Sequence, residues 1–491
     1  MESSDMIELN VLNRSPLDAE EATSVAENGK DQRSEGDETI EWKPSRFNAR
    51  AKDDDGELII WNSRTGNISV FEPEKAHIIE RALSQQGFSS RREGVVKYLH
   101  ERGYILRADA DESRAVNYEI QQQQHRSDIL HLILLASEDC DFRCVYCYED
   151  FDKGTMLPQV RDGIKNLLER KAPTLSSLSI SWFGGEPLYG FEAIEDIAPF
   201  ASELADEYNI QYMSNMTTNG YQLKPAVAEK LFSWGCRKFQ ITLDGTPEDH
   251  NEKRVARDGS KTFEKIYGNL QKLQSTSHDF TITIRSNFDQ DNHPNFEPYF
   301  ERLKDDFAGD DRFELRFHAV GKWGGPNDAD LNTCGFDEKQ QVKEKLRRLA
   351  RERGLKVEGG LDFKGGLGEK VCYAGRPYSF VVGAFGQLMK CTVALDKSDH
   401  NIVGHVTPEG RLKVDSEKMA LWTSGEYHRD SECEKCQVMP MCQGLNCPLV
   451  RIESDGKDKQ CASVRWNLKD RIKDAKKGKI QSAREIRVSP D

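Results

Sequence analysis

The sequence predicts an α/β fold: a partial (β/α)6 barrel with a smaller domain on each side. Three observations predict it. Between about 128 and 320, short apolar runs alternate with helix-periodic segments, which implies parallel strands joined by crossover helices. A hairpin-and-helix pattern precedes that stretch, and a cysteine-rich stretch follows it.

The 491 residues allow two to four domains. A formal charge of −14 argues against a nucleic-acid partner; it suits a basic peptide partner or simply a soluble surface. No apolar run reaches 18 residues, so no membrane association is expected, and the acidic, Ser-rich N-terminus is not a signal peptide. The expected location is cytoplasmic. There, twelve cysteines point to metals or catalysis rather than disulfides.

Residues 1–44 are acidic and poor in aromatics, and a disordered tail is expected. Residues 45–125 read as a small winged-helix-like domain. The β-type runs 57–62 and 68–71 flank a turn with Gly66. Helix-periodic 74–83 follows, then a second helix carrying Val95, Val96 and Leu99 that stops at Gly103. Tyr104-Ile105-Leu106 is a returning strand. The barrel occupies 126–325, with strands at 130–136, 178–183, 210–216, 238–243, 280–286 and 312–318. Helices at 160–170, 226–234 and 263–273 lie among them. Residues 326–365 read as a linker with one charged helix near 337–353 and Gly-rich turns such as Gly359-Gly360. Residues 366–465 form a cysteine-rich domain. Residues 466–491 are basic and helix-prone, either a cover for that domain or a solvated tail.

Cys140, Cys144 and Cys147 follow the first barrel strand, on the loop where α/β folds place their chemistry. Three thiolates at this spacing can hold three irons of a [4Fe–4S] cube, which normally takes four cysteines. One iron then stays open for a small molecule. A zinc knuckle would want a fourth His or Cys nearby, and none is close. After the second strand comes Gly184-Gly185-Glu186-Pro187, whose glycines let backbone approach a ligand closely. After the third comes Thr217-Thr218-Asn219-Gly220, able to bind ribose or a carboxylate. After the fourth comes Leu243-Asp244-Gly245, then His250 and Arg254. His250 reads as a polar helix cap. Arg285 and Asn287 share one face of the fifth strand under a period of two, toward the barrel mouth or the surface.

Together these motifs resemble the radical S-adenosylmethionine (SAM) superfamily. The resemblance implies that SAM chelates the open iron. Gly184, Gly185, Glu186, Thr217, Asn219, Asp244 and Arg254 are then cofactor-binding, with Arg254 on the SAM carboxylate, a role suited to a forked guanidinium. No catalytic side chain is assigned beyond the clusters. One electron passes into SAM and yields methionine and a 5′-deoxyadenosyl radical. Flavodoxin or ferredoxin is the expected reductant.

The second cysteine field resembles the SPASM domain, which carries two auxiliary [4Fe–4S] clusters, three clusters in all. By that resemblance Cys433, Cys436, Cys442 and Cys461 close one cluster. Cys372, Cys391 and Cys447 hold the other, with an open iron or with Cys334 as fourth ligand. The Cys442–Cys447 interval is one residue longer than the family's usual three. Cys236 reads as a plain buried thiol.

The front domain resembles the recognition element that grips the leader of ribosomally made precursor peptides, by adding a peptide strand to a sheet edge. The implied function is peptide modification, foremost a thioether crosslink. Alternatives are a carbon–carbon crosslink or formylglycine formation as in anaerobic sulfatase maturases. In the sulfatase branch an Asp follows the Cys of the Gly-x4-Cys element; here Thr392 follows Cys391. An iron–sulfur carrier would need neither the Gly-Gly-Glu-Pro turn nor Arg254.

Overall fold

The computed structural model describes residues 39–473 except 85–86, 93, 359–365, 396, 426 and 428. Gly359-Gly360 and most of the expected N-terminal tail lie outside the described residues.

The front of the chain runs β1 (Ile40–Pro44), β2 (Asn48–Lys52), β3 (Leu58–Asn62), β4 (Ile68–Phe71), α1 (Pro73–Ser84), β5 (Phe88–Ser90), α2 (Gly94–Glu101), β6 (Ile105–Arg107) and α3 (Glu112–Gln124). The expected hairpin is β3–β4, with β2 added antiparallel beside β3. One expectation changes here. Ile40–Pro44 is a strand inside the stretch read as disordered, because Trp42 buries against Ile60, Leu83 and Leu99. The expected returning strand forms as β6 and pairs with β1.

Asn62 is the polar knot of this domain. Its Nδ2 donates to Ser45 Oγ at 3.0 Å, Asn48 Oδ1 at 2.9 Å and the Gly103 carbonyl at 3.0 Å. Its Oδ1 accepts from the backbone of Arg64 and Thr65. One buried amide thus fixes the hairpin turn, β2 and the end of α2.

The barrel strands are β7 (Ile129–Ser137), β9 (Ser177–Gly184), β10 (Gln211–Thr218), β11 (Cys236–Thr242), β13 (Thr281–Phe288) and β14 (Phe313–Ala319). All six expected strands form, and each is bonded in parallel to the next one. Helices α4 (Pro158–Lys171), α5 (Phe191–Glu207), α6 (Pro225–Ser233), α8 (Phe263–Gln274) and α9 (Phe296–Phe307) fill the crossovers. Two short strands, β8 (Phe142–Cys144) and β12 (Arg254–Ala256), with α7 (Pro247–Lys253) before β12, sit in the loops after β7 and β11.

Parallel strands covered on both faces usually read as continuous apolar runs. Here β9 alternates: Leu178, Ile180 and Trp182 are buried while Ser177, Ser179 and Ser181 are half-buried. His131 of β7 lies hydrogen-bonded between Ser181 Oγ at 3.0 Å and Ser379 Oγ at 2.9 Å. The interior is therefore polar rather than plugged by branched side chains.

The stretch read as a linker is partly barrel. Helix α10 (Phe336–Glu352) buries Val342, Leu346 and Ala350 in the main core. Val357 then bridges Leu315 of β14 in parallel, and Arg316 pairs with Glu358 through both nitrogens. At the other edge, β15 (Ser379–Val382) pairs in parallel with β7. It continues antiparallel into β16 (Gln387–Met389), β17 (Ile402–Val406) and β18 (Leu412–Val414), making one ten-stranded sheet.

Part of the basic C-terminal stretch is a cover. Ile472 is buried with Trp61, Val438 and Met441, so it seals the front domain against the Cys433–Cys442 segment. No helix among the described residues is long and apolar enough to cross a membrane.

Replacing Asn62 with Ala leaves several buried backbone and side-chain groups unpaired and is expected to cost about 2–4 kcal/mol. Hydrogen exchange should accelerate across 40–107 and stay unchanged in the barrel strands. Equal protection in both proteins would refute Asn62 as the knot.

Candidate functional site

The three cysteines after β7 open onto one cavity, walled also by Gly184, Gly185, Thr217, Asn219 and Arg254. Five of the seven expected cofactor contacts therefore face a common space with Cys140, Cys144 and Cys147. Gly184 has φ +108°, and a Cβ there would strike the Ser137 carbonyl. A Cβ on Gly185 would lie 2.5 Å from the Asp139 carbonyl. Both glycines are required for the β9 turn to press against the cysteine loop.

The other two expected contacts, Glu186 and Asp244, are not among the residues lining that cavity; each sits beside one that is. Glu186 accepts from Thr218 Oγ1 at 2.6 Å, from the Asn219 N–H at 2.6 Å and from the Leu188 N–H at 3.0 Å. Burial lifts its carboxyl to about 7, against the pull of those donors. Asp244 accepts from the Asn287 N–H at 2.7 Å and from the Tyr146 hydroxyl. Backbone N–H groups and the Thr218 and Tyr146 hydroxyls donate to these carboxylates, which thereby shape the loops carrying the cavity residues.

Strands β8 and β12 form an antiparallel ribbon in which Cys144 lies directly opposite Arg254. Arg254 Nη1 donates to the Tyr146 hydroxyl at 2.8 Å, and Asn287 Nδ2 donates to the same oxygen at 3.2 Å. Arg254 Nε is buried and has no hydrogen-bond partner among the described residues. A buried guanidinium with a free N–H beside a cavity suits an anionic ligand.

His250 is neither a cap nor a cavity residue. Thr246 caps α7. His250 is fully buried; its Nδ1 accepts from the Asp244 N–H at 3.2 Å and its Nε2 meets Thr262 Oγ1 at 3.1 Å. Thr262 Oγ1 then donates to the Arg254 carbonyl at 2.7 Å. The accepting Nδ1 fixes the proton on Nε2, so a neutral imidazole links the β11 loop to Arg254. Burial, aided by the Arg254 charge, holds His250 well below the usual histidine range.

Burial, with nearby acids, raises the three thiols, and Cys144 adds to the rise of Cys140 and Cys147; Cys147 is pushed up to about 12. Three such sulfurs stay together as thiolates only around positive charge, which a metal supplies. Among the described residues no three cysteine sulfurs lie within 4.8 Å of one another; around one tetrahedral zinc they would be about 3.8 Å apart, given Zn–S of about 2.3 Å. The all-thiolate donor set fits an iron–sulfur cluster.

The later cysteines gather in two sets. Cys372 is raised in part by Cys391 and Cys447, and Cys442 by Cys436, Cys433 and Cys461. The long interval before Cys447 is taken up by two left-handed residues, Gln443 (φ 52°) and Gly444 (φ 68°). Cys334 sits near Glu338 and Asp289 instead. Cys236 is fully buried under the barrel.

Arg285 and Asn287 both face the cavity, with Arg285 Nε donating to Asn287 Oδ1 at 2.8 Å. Sequence reasoning missed Tyr148, Glu149, His318 and Trp323, which complete the wall. Burial and nearby acids push Glu149 up to about 8. Tyr146, directly before Cys147, is a hydrogen-bond hub that only the fold reveals.

His250 yields a pH prediction. Its folded pKa is depressed below the unfolded value of about 6.5, so its stabilisation is complete above that pH and is lost as pH falls. Between pH 7.5 and 5.5, His250→Asn should show a shallower loss of thermal stability than wild type, by up to about 1.4 kcal/mol per pH unit below 6.5. Identical slopes would mean that the folded protein protonates His250 freely.

Residues 134–291 match the Radical SAM superfamily. A GTP 3′,8-cyclase of Microcystis aeruginosa (strain NIES-843 / IAM M-2473) is 31% identical over 156 residues, 31% of this chain and 45% of that protein. A cysteine-type anaerobic sulfatase-maturating enzyme of Clostridium novyi (strain NT) is 27% identical over 169 residues, 33% of this chain and 45% of that protein. The chain thus spans less than half the length of either relative. A solved structure described as native anSMEcpe with bound AdoMet and Cp18Cys peptide superposes with a TM-score of 0.51 at 18% identity, over 72% of this chain and 97% of that one. That likeness shows a shared fold. Cysteine loop, Gly-Gly turn and parallel sheet all fall within or beside the matched segment, and residues 134–291 are a radical SAM domain.

Proposed function

We propose that this chain is a radical SAM enzyme that modifies a ribosomally made precursor peptide, foremost by joining a cysteine sulfur to carbon. The observation that carries the reading is the single cavity shared by Cys140, Cys144, Cys147, the Gly184-Gly185 turn and Arg254. The three cysteines would hold a [4Fe–4S] cluster, and Arg254, which lines the same cavity, would take the SAM carboxylate. A bound cluster and SAM supply a carbon radical able to take a hydrogen atom from an unactivated carbon. The chain's own part is to position and exclude water. Glu186 holds the β9 and β10 turns together, and Tyr146 with His250 keeps Arg254 in place.

Two auxiliary clusters belong to the same reading, on Cys433, Cys436, Cys442 and Cys461, and on Cys372, Cys391 and Cys447. The second set has three cysteines, which leaves a corner for a substrate sulfur. The peptide partner is supported by the shared fold with the peptide-bound structure and by the front domain. There β4 is an edge strand of the β2–β3–β4 sheet, with Val70 exposed. An edge of that kind accepts an added peptide strand.

The sulfatase-maturase reading is favoured by the Clostridium relative. Position 392 weighs against it: Thr392 Oγ1 is bonded to the Tyr373 hydroxyl at 2.8 Å, where that branch would need a carboxylate.

Iron-loaded enzyme with SAM and dithionite should release 5′-deoxyadenosine, and Cys144→Ala should release none. Tyr146→Phe should weaken SAM binding about tenfold at unchanged iron content, the scale of losing a group that orients a ligand-binding residue. Mass spectrometry of a co-expressed short peptide decides the chemistry. Loss of two hydrogens means a crosslink; conversion of a cysteine to an aldehyde means formylglycine; an unmodified peptide contradicts both. Excising residues 1–125 is a poor test of peptide binding, because Trp61 would leave Val438 and Met441 bare. Val70→Asp is the cleaner variant. It should weaken peptide binding and leave SAM cleavage unchanged; equal affinity would remove the edge-strand claim.

A further inference from the structure

A fourth group of metal-ligand side chains lies outside the cysteine sets. His293 belongs to the short turn His293–Asn295 between β13 and α9. Cys334 lies just before α10, and Glu338 is in that helix's first turn. A ring nitrogen of His293, Cys334 Sγ and a Glu338 oxygen all lie within 4.8 Å of one another.

These three side chains converge without bonding to each other. His293 Nδ1 is shut off from solvent and has no hydrogen-bond partner among the described residues. An unpaired buried ring nitrogen is costly unless something binds it. The Cys334 thiol is half-buried.

The ligand atoms are also braced from outside. Glu338 Oε2 accepts from the Gly335 N–H at 2.9 Å and from Gln290 Nε2 at 3.0 Å. The Gln290 N–H donates to the Asn332 carbonyl at 3.1 Å, and Asn332 Nδ2 donates to Asp291 Oδ1 at 2.7 Å. Outer partners of this kind orient metal ligands.

We propose that His293, Cys334 and Glu338 bind a divalent transition-metal ion, separate from the iron–sulfur sets. One imidazole, one thiolate and one carboxylate are the ligand types of zinc. Three protein ligands leave a fourth position for water. Binding would release the Cys334 proton and form no other covalent bond. The ion would pin the segment before α10 to the β13 loop. That segment matters to the cavity: Gly321 and Trp323 line it, and Asn327 Nδ2 donates to the Val145 carbonyl of the cysteine loop at 3.2 Å. The ion's role is thus to stiffen one wall of the SAM cavity.

The test uses the full chain, iron-loaded under anaerobic conditions and dialysed against buffered zinc ion. Bound zinc and iron are then counted by mass spectrometry. Wild type should hold one zinc that Cys334→Ser and His293→Ala lose, with affinity at least tenfold weaker. Cys236→Ala, a thiol elsewhere in the barrel, should keep it. Where Cys334→Ser or His293→Ala lowers iron content as well, Glu338→Gln decides, since its amide oxygen can still cap α10. It should retain iron and bind zinc at least tenfold more weakly. Zinc should also slow hydrogen exchange across 324–335 in wild type and not in Glu338→Gln. Equal zinc content in wild type and Glu338→Gln, or exchange unmoved by zinc in wild type, would overturn the proposal.

Discussion

The site depends on one short ribbon. Pairing β8 with β12 sets Cys144 against Arg254, so the loop that carries three sulfurs is fixed to a segment that carries a buried cation. Both sides of that pairing are unstable alone. Three buried thiols resist ionisation, and a buried guanidinium needs partners. Their proximity offsets part of both costs, and Arg254 is raised by Cys144, Tyr146 and Asp244 despite its burial. The relay from the Asp244 N–H through His250 and Thr262 to the Arg254 carbonyl then locks the ribbon to the β11 loop.

The rest of the molecule keeps that ribbon open on one side and supported on the others. The barrel's inner face is polar, so a space remains where a packed core would otherwise stand. The sheet does not stop at β7 but runs on through β15 into the cysteine-rich domain. Glu138, just past β7, accepts from the Ala384 N–H at 2.7 Å and pairs with Lys153. The cysteine loop and the later cysteines therefore share a rigid sheet rather than a tether. The front domain closes the far side of that sheet system, with Trp61 and Ile59 packed on Val438 and Met441.

Much of this was legible in the sequence where local pattern decides structure. The apolar run 130–136 and the alternating stretch 280–286 announce buried strands without any knowledge of their partners. The cysteine spacings and the Gly184-Gly185 turn announce close approach to a ligand. What escaped depends on distant pairing. Ile40–Pro44 lies at the end of an acidic tail and is a strand only because β5 and β6 flank it. Val357 joins the barrel only because Leu315 offers an open edge. That Glu186 and Asp244 brace the cavity loops, by accepting from distant N–H groups and hydroxyls, is something no sequence displays. Tyr146 is another such case, an aromatic residue that the fold turns into a hub.

The central claim is that Cys140, Cys144 and Cys147 leave one corner of an iron–sulfur cube open and that SAM takes it. Electron paramagnetic resonance of the reduced, iron-loaded protein tests this directly. Adding SAM should shift the signal in wild type and leave it unmoved in Cys144→Ala. A wild-type spectrum indifferent to SAM would contradict the account.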